Sequence, residues 1–133
     1  MTVVIDASVA VLWTLQQTGS DRAAALSSET GLIAPSIILA EVGNAIWKAV
    51  RRGDLPRAES AMAIDLALSP FEQLTSVEEL RVRALEIALE LDHPIYDCFY
   101  LALAERERCP MVTADKRLLT AAKKFKSVEV RAL

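Results

Sequence analysis

One histidine and two cysteines in 133 residues leave too few imidazole and thiolate donors for a zinc centre, and Cys98 and Cys109 stand at no metal-ligand spacing. Both thiols are expected reduced, in or near the core. The lone His93 precedes Pro94 at a helix start and reads as a loop or capping residue rather than a catalytic one. Four glycines and five prolines, against 53% hydrophobic and 25% charged residues, exclude collagen-like and disordered chains. The longest uncharged stretch, Ala7 to Ser20, is shorter than the roughly 20 apolar residues of a membrane span. No basic segment leads into an apolar run and a small-residue cleavage site, so a soluble cytoplasmic protein with no membrane contact is expected. Repeats, linkers and low-complexity segments are absent too, and the length suits one domain over residues 1–133. A net charge of −3 argues against a nucleic-acid partner only if that charge is evenly spread.

What is present is an alternation of short apolar runs with longer helical patterns. Val3 to Ile5 reads as a buried strand followed by a helix opening near Ser8, which is placed to cap it. A second strand is expected over Thr30 to Pro35, then a helix capped by Ser36 and running to about Arg52, where Gly53 stops it. Pro56 opens another helix to about Leu68, and Phe71 to Thr75 reads as a third strand. Ser76 with Glu79 forms a capping box for a helix to Leu91. Pro94 starts the helix Ile95 to Arg108, Pro110 to Thr113 is a fourth strand, Asp115 heads a helix to Lys124, and Val128 to Val130 is a last short strand. Strands apolar throughout, alternating with helices, predict an α/β fold: an α/β/α sandwich around a parallel sheet covered on both faces. Ligands of such sheets gather beyond the carboxyl ends of the strands.

Four acids lie where that rule directs attention. Asp6 ends the first strand, Asp115 follows the fourth, Glu41 lies in the second turn of one helix, and Asp97 lies in the first turn of another. An acid in a helix is commonly neutralised by Lys or Arg three or four positions away. Glu41 has Ile37, Ile38, Asn44 and Ala45 there, and Asp97 has His93, Pro94, Tyr100 and Leu101. Each acid also has an ordinary reading: Asp115 as an N-cap, Asp97 as a dipole partner, Asp6 as a turn residue, Glu41 as a solvated side chain. One metal site accounts for all of them together. Carboxylates without a histidine or cysteine cluster suit a hard cation such as Mg²⁺, which takes oxygen ligands, keeps waters, and activates water for attack on a phosphodiester.

Setting the four acids aside turns the net charge from −3 to +1, so a polyanion is no longer excluded. Between Ile37 and Arg52, Leu39, Val42, Ile46 and Val50 form an apolar stripe, while Glu41, Asn44, Lys48 and Arg52 share another face. That is the pattern of a metal site with a phosphate track leading away, although helix-terminal bases such as Lys48, Arg51 and Arg52 are also ordinary. Arg106, Arg108, Lys116 and Arg117 are further candidates for contact with a nucleic-acid backbone. Trp13 and Trp47 are expected to serve core packing before any interface.

VVIDASV, APSIILAEVGNAI and IYDCFYLALAERERCPMVTADKRLL, in that order and spacing, resemble the PIN-domain ribonucleases, in particular the VapC-type toxins of bacterial toxin–antitoxin pairs. The likeness covers essentially the whole chain. It implies a Mg²⁺- or Mn²⁺-dependent endoribonuclease whose acidic residues fall on Asp6, Glu41, Asp97 and Asp115, supported by Ser8, Asn44 and Thr113. Where some relatives carry another acid after the last aspartate, this chain has Lys116 and Arg117, which leaves the ligation of a second metal open. A homodimer and a VapB-type antitoxin are also implied. Three other readings stand beside it: a nuclease of RNA processing, a phosphatase-like domain using Asp6 as nucleophile, and a non-catalytic protein-binding module. The second lacks a further acid beside Asp6, where Ala7 and Ser8 follow.

Overall fold

The computed structural model describes residues 1–16 and 18–133. Five strands, β1 (Val3–Ile5), β2 (Leu32–Pro35), β3 (Gln73–Thr75), β4 (Met111–Thr113) and β5 (Val130–Ala132), form one sheet in the order β3-β2-β1-β4-β5. Every neighbouring pair is parallel. The strand order grows outward from β1 to β2 and β3 on one side, then restarts on the other with β4. The switch point therefore falls between β1 and β4, where Val4 pairs with Met111 and Ile5 with Val112.

Side chains alternate along a strand, and the register turns that alternation into two cores. Val4, Ile33 and Met111 point to one face, and Ile5, Leu32 and Val112 to the other. The first face is covered by α3 (Ile38–Arg51), α5 (Val77–Leu91), α6 (Ile95–Glu107) and α7 (Lys116–Ala122), with α4 (Ser60–Leu68) joining the same cluster. The short α1 (Ala7–Ala10) is shared, Ala7 and Ala10 lying in the first core and Val9 in the second, which also holds Leu12 of the 3-10 turn Val11–Trp13 and Ala23 of α2 (Ser20–Ser27). Helix α6 is the innermost: Cys98 and Tyr100 to Ala104 are all buried, because α6 lies between the sheet and α5. Replacing Leu101 by alanine there costs about 2–5 kcal/mol through lost burial and the cavity left behind.

Several local expectations give way to tertiary contacts. The helix after β1 lasts one turn before tightening, and Asp6, not Ser8, holds its N-cap position. Helix α2, in a stretch without assignment above, buries only Ser20 and Ala23. Gly31 lies outside β2 at φ +80°, where a Cβ would collide with the Met1 carbonyl. Ser36 does not cap α3; its hydroxyl accepts from the Val77 amide across the molecule. Only half of the capping box forms: Ser76 accepts from Glu78 N, while Glu79 turns to Arg106. Leu39 is 46% exposed, so the buried stripe of α3 is Ile38, Val42, Ile46 and Ala49. Strand β5 begins two residues later than expected, Val128 being packed into the core ahead of it. Trp13 packs on Phe71, as expected of a core aromatic, but Trp47 is 54% exposed. Both thiols are free. Among the described residues, no helix is long and apolar enough to cross a membrane.

Candidate active site

Asp6 leaves the end of the central strand beside the switch point, its amide donating to Val112 O of β4. It is 4% exposed, the only buried charged residue among the described residues. Two hydroxyls compensate: Ser8 Oγ and Thr113 Oγ1 each donate to Asp6 Oδ2 at 2.7 Å. Thr113 closes β4 and is fully buried, so the pairing of β1 with β4 delivers its hydroxyl to Asp6 directly. Ser8 lies 3.2 Å from Thr113 Oγ1 and accepts from Ala114 N, tying the loop after β4 to α1.

Burial still outweighs these bonds, and the Asp6 carboxyl is pushed above the usual range, with the charge of Asp97 adding to the push. Glu41 is raised to about 7, first by burial and then by the charges of Asp6 and Asp97, against the opposing hydrogen bond from Tyr100. Three acids from three separate elements thus act on one another: Asp6 after β1, Glu41 on α3 and Asp97 on α6. Apolar surroundings with repelling carboxylates favour protons or a cation.

Each of the other two acids also has a side-chain partner. Tyr100 donates to Glu41 Oε1 at 2.6 Å, and His93 Nε2 lies 2.7 Å from Asp97 Oδ2. His93 lies in the loop before α6, as expected, and from four positions before Asp97 it also serves as that acid's side-chain partner. Asp115 stands apart. It caps α7, its Oδ1 accepting from Arg117 N and Leu118 N, and it reaches the others through its amide, which donates to Thr113 Oγ1 at 3.0 Å. Asn44 is exposed on α3, one turn beyond Glu41.

The basic candidates divide by position. Lys48 is exposed on α3, and Lys116 and Arg117 are exposed in the first turn of α7, after β4. Arg51 stacks over Trp47 at 5.3 Å, and Arg52 pairs with Asp54 at 2.9 Å. Arg106 pairs with Glu79, and Arg108 caps the far end of α6. Nine residues separate Arg106 from Asp97, about 13 Å along the helix, so Arg106 lies at the opposite end of α6 from the acids.

Sequence reasoning did not single out Tyr100 or the pairing of His93. Both stand at helical spacing from Asp97, but a tyrosine in an apolar run reads as core, and its partner Glu41 is 59 positions away. Among the described residues, no three Asp, Glu, His or Cys groups stand close enough to ligate one ion directly. The donor chemistry nonetheless suits a hard divalent cation that retains waters between itself and some ligands, since the acids around Asp6 offer only carboxylate oxygen.

The model of the PIN domain family matches residues 3–124. Among curated proteins, the chain is 31% identical over 121 residues to Ribonuclease VapC3 of Pyrobaculum aerophilum, spanning 89% of this chain and 92% of that one. It is 34% identical over 89 residues to Exonuclease VapC9 of the same organism, spanning 67% of this chain and 65% of that one. The crystal structure of PAE2754 from Pyrobaculum aerophilum superposes with a TM-score of 0.69, over 98% of this chain and 83% of that one, and at 24% identity the likeness speaks to the fold.

Proposed function

The chain belongs to the PIN domain family, and from that premise we propose that it is a Mg²⁺- or Mn²⁺-dependent endoribonuclease, the toxin of a toxin–antitoxin pair. The observation that carries the reading is the convergence of Asp6, Glu41 and Asp97 at the sheet's switch point, with Asp6 and Glu41 both holding protons more tightly than ordinary acids. Asp6, Glu41 and Asp97 would hold the cation, some of them through its retained waters rather than directly, and Asp115 would join them through a water or after leaving its cap. When bound, the ion supplies Lewis acidity, polarising the phosphate and lowering the pKa of water for in-line hydrolysis.

The chain's own side chains prepare that chemistry. Ser8 and Thr113 fix Asp6, and His93 fixes Asp97. Glu41, balanced near neutral pH, would give up its proton as a cation binds. Lys48, Lys116 and Arg117 offer exposed positive charge for the RNA backbone, with Arg51, Arg52 and Arg106 as weaker contributors because each already has a partner. Contacts of this kind read backbone and shape rather than base sequence.

The antitoxin and a second copy of the chain are the partners this reading brings with it. A groove of about 540 Å³ between α3 and α4, lined by Ile46, Trp47, Val50, Arg51, Arg57 and Ile64, supports the first, being apolar with basic rims. Exposed Val82, Leu85 and Leu89 along α5 support a protein contact as well. A second reading, exonucleolytic cleavage, is favoured by the name of the VapC9 relative.

Purified protein, freed of any partner, would be incubated with linear and circularised forms of a panel of structured RNAs in Mg²⁺, Mn²⁺ or chelator. Metal-dependent cutting of the circles supports the endonuclease. Cutting of linear RNA alone supports the exonuclease, and cutting that persists in chelator contradicts the metal mechanism.

A further inference from the structure

We propose that Tyr100 is a positioning residue of the carboxylate site: its buried phenol grips one oxygen of Glu41 and leaves the other for a divalent cation or that cation's waters. The inference rests on the metal-dependent reading above and adds a residue to it. Tyr100 is fully buried on α6, one turn beyond Asp97, and α6 packs against β1 and β2. Its hydroxyl crosses to α3 and donates to Glu41 Oε1 at 2.6 Å. Among the described residues, the Glu41 carboxylate has no other side-chain hydrogen bond.

Packing alone does not require this arrangement. Phenylalanine would fill the same volume, and a buried tyrosine hydroxyl is satisfied as well by a neutral acceptor. A carboxylate in apolar surroundings beside two further acids is instead a costly partner, and replacing both members of such a hydrogen bond by apolar groups of the same shape can be nearly neutral or stabilising. The bond gains a purpose if Glu41 must present a fixed oxygen. The neighbouring acids show the same design: Asp6 is gripped at Oδ2 by Ser8 and Thr113, and Asp97 at Oδ2 by His93. Partners that orient metal-binding side chains in this way are worth about 10–100-fold in metal affinity.

The test uses Mn²⁺ as the probe, its free concentration read by electron paramagnetic resonance, with folding followed by circular dichroism. Tyr100→Phe is expected to keep its fold and bind Mn²⁺ at least about tenfold more weakly. RNA cleavage should recover when Mn²⁺ is raised in proportion. In a Glu41→Gln background, adding Tyr100→Phe should cause no further loss. A Tyr100→Phe protein with unchanged Mn²⁺ affinity overturns the proposal, as does an equal loss with and without Glu41. The unaltered chain offers a second measurement, because it has only two tyrosines, Tyr96 and Tyr100. With ring-carbon labelling, saturating Mg²⁺ should shift the Tyr100 resonance and leave the exposed Tyr96 in place; a Tyr100 signal that does not move overturns the proposal. If the unaltered protein binds no Mn²⁺, the metal-dependent reading falls and the inference falls with it. Binding that survives Tyr100→Phe but not Glu41→Gln removes the inference alone.

Discussion

Glu41→Gln should stabilise the metal-free protein at alkaline pH. The Glu41 carboxyl rises from 4.5 to about 7 on folding, chiefly through burial and then through Asp6 and Asp97. For an acid raised in this way, the native state keeps a proton that the unfolded chain has released. Its stabilising contribution is complete below 4.5 and is lost as pH rises through about 7. The difference corresponds to about 3 kcal/mol at most, and to roughly 1–2 kcal/mol once the carboxyl's partial solvent access is discounted. Glutamine keeps an oxygen for the Tyr100 hydroxyl and removes the charge. In chelator at pH 8, Glu41→Gln should therefore unfold about 1–2 kcal/mol later in urea and melt roughly 3–8 °C higher. At pH 5 the two proteins should agree closely. Urea titrations followed by far-UV circular dichroism at both pH values measure the difference. A variant no more stable than the parent at pH 8, or displaced equally at both pH values, would show that the Glu41 charge does not destabilise the fold.

Other perturbations separate roles that one residue combines. Asp115→Ala removes the α7 cap and should cost about 0.5–2 kcal/mol, while Asp115→Asn keeps the cap; loss of RNA cleavage in the asparagine variant, read against its unchanged melting temperature, would assign the charge to the site. Thr113→Val strips a donor from Asp6 and an acceptor from Asp115 N, and calorimetry should show a loss of about 1–3 kcal/mol, larger than for Ser8→Ala at the half-buried neighbour. Lys48→Ala and Arg117→Ala should each lower the salt dependence of RNA binding by about 0.7 in logarithmic slope, measured with a catalytically inactive Asp97→Asn protein. Arg106→Ala, at the far end of α6, should leave that slope unchanged.

The parallel sheet was legible because its central strands are covered on both faces, which makes Val3–Ile5 and Met111–Val112 continuous apolar runs. Helix α2 was not, since it turns only Ser20 and Ala23 inward and shows no apolar stripe. Val128 misled the reading of β5: it is apolar because it packs into the core ahead of the strand. At the site, the absence of nearby Lys or Arg drew attention to Glu41 and Asp97, and both carry polar partners of another kind. Tyr100 meets Glu41 only because α6 and α3 converge, and nothing local to either residue announces that meeting. His93 was within view at four residues from Asp97, but its neighbour Pro94 suggested a capping role. Asp115 had two open readings; the structure displays the cap, and its charge awaits the asparagine variant.

On the reading proposed for the site, Asp6, Glu41 and Asp97 jointly hold a divalent cation, directly or through its waters. Calorimetric titration of metal-free protein with Mn²⁺ at pH 6.5, in two buffers of different ionisation enthalpy, tests it most directly. Saturable binding accompanied by proton release is expected, because Glu41 is largely protonated at that pH, with binding lost in Asp6→Asn and proton release reduced in Glu41→Gln. Absence of saturable binding, or binding that survives Asp6→Asn unchanged, would contradict that reading.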